Sequence, residues 1–119
     1  MNQPKELRVS IFEKIGTNSA VSSESGDSIF ALIKKGLDNN ANVTLDFLNI
    51  ELITSAFLNA AIGQLYSEFT GEQLNKSLKI ENLMPEDANI LKKVISRAKE
   101  YFKNKADLNA AIKDAFNDE

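Results

Sequence analysis

The sequence predicts an α/β fold: a small sheet of about three to four strands with helices packed on it, in the order β-α-β-α-β-α-α. Three observations lead there. Val43, Leu45 and Phe47 alternate with Thr44 and Asp46, the period-two pattern of a half-buried strand. Directly after it, Leu58, Ala61, Ile62, Leu65 and Phe69 recur at helical spacing. The same change of period occurs once before and once after this segment, and alternating strands and helices build sheets with right-handed crossovers where strands run parallel.

Taken in order, Leu7, Val9 and Ile11 alternate with Arg8 and Ser10 to give a first strand, whose apolar character Phe12 and Ile15 extend. Gly16 to Ser28 is rich in Ser, Gly, Asn and Thr, a loop composition. Ser22, Ser23, Ser25 and Asp27 are candidate N-caps for the next helix. There Ile29, Leu32, Ile33 and Leu37 share a face, Lys34 and Lys35 point out, and Asp38-Asn39-Asn40 supplies a stop. The second strand starts at Val43, with Leu48 and Ile50 continuing its apolar run. A helix from about Thr54 to Phe69 follows, closed by Thr70-Gly71; Phe57 and Ala60 make its other side apolar, so burial on more than one face is expected. Leu78 and Ile80, alternating with Lys79 and Glu81, form a third strand. Pro85-Glu86-Asp87 starts a helix with stripe Leu91, Val94, Ile95, Ala98 and Phe102. Leu108, Ala111, Ile112, Ala115 and Phe116 repeat that period, either in one helix bent at Asn104 or in two. No repeat, linker or second domain shows, so residues 1–119 read as one domain, with disorder expected at 1–6 and 117–119.

Composition narrows the function classes. At 119 residues and 43% hydrophobic, the chain can bury one core. It has no Cys and no His, which excludes disulfides, thiol chemistry, Ser-His-Asp and Cys-His catalysis, and the commonest zinc ligands. No carboxylate spacing suggests a metal, and no cofactor is expected. With a net charge of −3 and arginine only at Arg8 and Arg97, the electrostatic footprint of a nucleic-acid binder is missing. Met1 to Glu6 is polar, no run reaches membrane-spanning length, and a cytoplasmic location is expected.

The segment Val43-Thr44-Leu45-Asp46-Phe47, followed by Ile50 to Leu58, resembles the STAS family, which includes bacterial anti-anti-sigma factors. In that family a hydrophobic strand ends in Asp-Leu, and Asp-Ser-Ser-Gly-Leu opens a helix. Asp46-Phe47 looks like the strand end, Leu52-Ile53 like the second apolar patch, and Thr54-Ser55-Ala56-Phe57-Leu58 like the helix opening. The closer likeness is to uncharacterised bacterial STAS-like families, through Ile53 to Leu58 and Leu65-Tyr66-Ser67-Glu68-Phe69, and it spans roughly Leu7 to Phe102. The resemblance implies a non-enzymatic regulatory module whose protein partner could be an ATP-binding kinase. In anti-anti-sigma factors that kinase phosphorylates the second Ser of the motif. An ungapped comparison puts Ala56 at the acceptor position and Ser55 at the first Ser; a shift of one residue makes Ser55 the acceptor.

The residues support two readings at each candidate position. Thr54 and Ser55 can cap the helix, or Ser55 can accept a phosphate at a helix N-terminus. Asp46 lies at a strand's C-terminal end, where ligands bind in open α/β sheets, or it caps the following loop or pairs with a nearby Lys. The Ser-rich loop is solvated, or it docks a partner beside the 54–55 turn; it lacks the Lys-Ser/Thr ending of a phosphate-binding P-loop. The expected function is docking of a signalling protein through Asp46, Thr54, Ser55, Ala56 and Phe57, flanked by Ser22, Ser23 and Ser25. The alternative is a small-ligand or nucleotide binder in the same crevice. No nucleic-acid or membrane partner is expected.

Overall fold

A computed structural model describes residues 5–117, apart from the side chains of 106, 109–111 and 113–117. Strand β1 (Glu6–Ser10) leads into a short helix, α1 (Ile11–Ile15). Ser10 accepts the Glu13 N–H and Gly16, with φ of 75°, closes the turn. Phe12 and Ile15 therefore sit on a helix and do not extend the strand; the spacing of Ile11 and Ile15 suits one helical turn equally well. A two-residue strand, β2 (Ser19–Ala20), follows. Helix α2 (Ser23–Asp38) starts with Ser22 as N-cap, accepting from the Ser25 N–H at 3.0 Å. The Gly16-to-Ser28 segment is thus a short strand and a helix start, not a loop throughout.

Strand β3 (Asn42–Asp46) ends earlier than its apolar run. The Asp46 carboxylate accepts the Leu48 N–H at 2.9 Å, and Asn49 takes a φ of 70°, turning the chain before Ile50. Strand β4 (Leu52–Ile53) then enters α3 (Ser55–Ala61). The single helix expected over 54–69 is instead α3 and a 3₁₀ turn, Gly63–Ser67. Thr70-Gly71 does not merely close it: Thr70 and Gln73 form a capping box that opens α4 (Gly71–Ser77). Strand β5 (Leu78–Glu81) precedes α5 (Pro85–Asn117), which continues through Asn104 as one helix. The expected disordered ends fall mostly outside the described residues, although β1 takes up Glu6.

Strands β1, β3 and β5 form a parallel sheet in that order, with Val9 opposite Leu45 and Leu45 opposite Ile80. Strands β2 and β4 form a separate parallel pair. Val9, Val43 and Leu45 bury one face of the sheet in a core with Ile29 and Ile33 of α2, Phe57 and Leu58 of α3, and Leu91 and Val94 of α5. The alternate positions Arg8, Thr44, Lys79, Asp46 and Glu81 lie on the opposite, polar face. Among the described residues no helix is long and apolar enough to cross a membrane.

Candidate functional site

Strands β2 and β4 run side by side, Ser19 against Leu52 and Ala20 against Ile53, and each feeds a helix. The two helix starts therefore lie together. Thr54 fastens them: its hydroxyl donates to the Val21 carbonyl at 2.6 Å and accepts the Phe57 N–H at 3.2 Å. Gly26 of α2 allows the close approach, since a Cβ there would lie 2.6 Å from both Ala60 Cβ and the Phe57 carbonyl. Ser55 and Ala56, the first residues of α3, are exposed, as are Ser22 and Ser23 at the start of α2; Ser25 is half-buried. Beside them the chain leaves apolar side chains in solvent, Leu52 at 54% exposure and Val21 at 38%, and in the 46–50 turn Leu48 is also exposed.

Phe57, expected among the partner-binding residues, is fully buried, so it belongs to the core and not to the exposed surface. The helical register decides this: Thr54 as N-cap turns Ser55 and Ala56 outward and the next residue inward. Asp46 is also withdrawn, at 7% exposure. One carboxylate oxygen accepts from Asn82 Nδ2 at 2.7 Å and from the Leu48 N–H, and the other from Arg8 at 3.1 Å. Arg8 spans the polar face and also reaches Glu81 at 2.8 Å. Burial pushes the Asp46 carboxyl up, but the bonds from Asn82, the Leu48 N–H and Arg8 outweigh it and hold the group below its ordinary value. Its full set of partners makes Asp46 a clamp on the 46–50 turn.

The geometry joins Ser22, Thr54, Ser55 and Ala56 at one end of the fold, and separates Asp46 and Phe57 from that surface. Sequence reasoning missed Leu48, Leu52 and Val21 as surface residues. Leu48 and Leu52 read as parts of apolar runs and Val21 as part of a Ser-rich loop; in the structure Leu48 falls in the turn after β3, Leu52 on a two-residue strand and Val21 just after one. Among the described residues no group of three or more acidic, His or Cys side chains could hold a metal.

A family model described as a STAS-like domain of unknown function (DUF4325) matches residues 25–88. The chain belongs to this STAS-like family. The match runs from the first turn of α2 to the first turn of α5, and so includes β3, β4, α3 and β5. Strand β1 and the Ser22 cap lie before it. No curated protein and no solved structure gives a match. The mixed α/β architecture with its small parallel sheet is consistent with a STAS-like fold.

Proposed function

We propose that this STAS-like domain is a regulatory module that acts by binding a protein partner and not by catalysis. The observation that carries the reading is the exposed apolar pair Leu52, on the strand that leads into α3, and Val21, bonded through its carbonyl to Thr54, beside the exposed Ser55 and Ala56. Apolar side chains rimmed by hydroxyls are the chemistry of a protein-docking face. Within that face Thr54 is occupied by structural hydrogen bonds, which leaves Ser55 as the free hydroxyl at the helix start. A phosphate on Ser55 would place about two negative charges in the middle of the docking surface and switch its affinity. By family resemblance the partner is a signalling protein such as an ATP-binding kinase.

Affinity capture from the native cell tests the face. Wild type, Leu52→Glu and Ser55→Glu are compared with Glu72→Lys, a control on the exposed surface of α4. A partner retained by wild type and the control, and lost by Leu52→Glu, is the expected result. Equal recovery of every protein by all four would refute the docking face. A nucleotide-induced rise in melting temperature without any captured protein would assign the crevice to a small ligand instead.

A further inference from the structure

Strand β1 is an edge. Its inner side pairs with β3, and among the described residues no strand pairs with its other side. The Asn42 N–H donates to the Lys5 carbonyl at 2.7 Å, and the register places Asn42 opposite Glu6. Lys5, Leu7 and Val9 therefore turn their backbone groups toward β3, and Glu6 and Arg8 turn theirs outward. Next to this edge an open groove of about 510 Å³ is lined by Leu7, Leu32, Gly36 and Ala41, with Lys5 and Lys35 at its margin. Gly36 lets α2 come close, because a Cβ there would lie 2.9 Å from Leu7 Cδ2. Leu7 is still 38% exposed.

We infer that β1 pairs antiparallel with β1 of a second copy of this chain, giving a two-fold dimer with one continuous six-stranded sheet. The outward backbone groups of Glu6 and Arg8 limit the pairing to three central registers. Two of them set like charges on the axis, Glu6 against the partner's Glu6 or Arg8 against the partner's Arg8. The third sets Glu6 opposite the partner's Arg8 twice and brings Leu7 against the partner's Leu7. Only this register is complementary in charge, and opposite charges directly across a ladder attract where like charges repel. It also puts the two leucines in a non-hydrogen-bonded pair, where side chains approach most closely, over the groove that now leaves Leu7 in water. The contact is isologous and closes on itself. It covers an edge that would otherwise template uncontrolled strand addition.

The test uses the full chain. Wild type at high micromolar concentration should have twice the mass of one chain by light scattering. Glu6→Lys, an exposed change that leaves the core untouched, should weaken self-association at least tenfold. The chain has no cysteine, so Leu7→Cys carries a single thiol. On mild oxidation it should form a covalent dimer, because the paired Cα atoms lie within disulfide reach, whereas Glu6→Cys, two residues off its own copy, should not. A monomeric wild type would overturn the proposal. So would a dimer that Leu108→Cys on α5 cross-links and Leu7→Cys does not.

Discussion

Asp46 and Asn82 hold each other across the polar face, and removing the charge from one of them has a signed consequence. The folded carboxyl ionises below its ordinary value, so the stability it contributes is present above the unfolded carboxyl pKa of about 4 and is lost as pH falls through the folded value. Asp46→Asn should lower the urea midpoint at pH 7, by about 1–3 kcal/mol in stability, since the Leu48 N–H and Arg8 lose an ionised acceptor. The gap between wild type and variant should narrow at pH 3. A gap that stays constant from pH 7 to pH 3 would show that Asp46 acts through shape and not charge. The loop cap was legible, since Asp46 at a strand end reads as a cap for the turn that follows and accepts the Leu48 N–H there; its other partners were not. Asp46 read as a strand end, but Arg8 and Asn82 are brought to it by pairing with β1 and β5, and pairing across crossovers leaves no local mark. The Thr54 cap was legible, because an N-cap needs only a hydroxyl before an apolar stripe.

At the level of elements the joint between α2 and α3 depends on one missing side chain. Gly26→Ala would drive a Cβ into the Ala60 methyl and the Phe57 carbonyl, the second of which is backbone and cannot rotate away. The variant should lose about 1–3 kcal/mol in a denaturant titration. Unchanged stability would mean that the helices can separate without loss. The strands and helices with long stripes, β3, β5, α2 and α5, were visible because several apolar side chains repeat in each. The two-residue strands β2 and β4 are too short to show a period, and α4 buries only Leu74. The capping pattern Thr70 to Gln73 was the available signal for α4, hidden because Thr-Gly reads equally as a stop. The same lack of period concealed the exposure of Leu52, which belongs to a strand whose neighbour is a loop by composition.

For the molecule as a whole, the described core residues of α5 all lie in its first half. Among the described side chains of α5, Leu91, Val94 and Ala98 are buried, and Tyr101, Leu108 and Ile112 are exposed. A chain cut after Asn104 should keep its melting temperature within roughly 5 °C, the shift expected for a loss of no more than about 1 kcal/mol. A larger fall would show that the distal helix supports the body. The parallel sheet has a different bearing on how the chain comes to be folded. A parallel pair cannot form as a hairpin and needs a crossover. As the chain is synthesised, β1 has no partner until Asn42 to Asp46 has emerged, and β3 keeps a bare side until Leu78 to Glu81 follows. The central strand is thus made before the strand that completes the sheet. Over that interval Val43 and Leu45 belong to a two-stranded fragment, and resistance to protease should arise in a single late step as β5 leaves the ribosome.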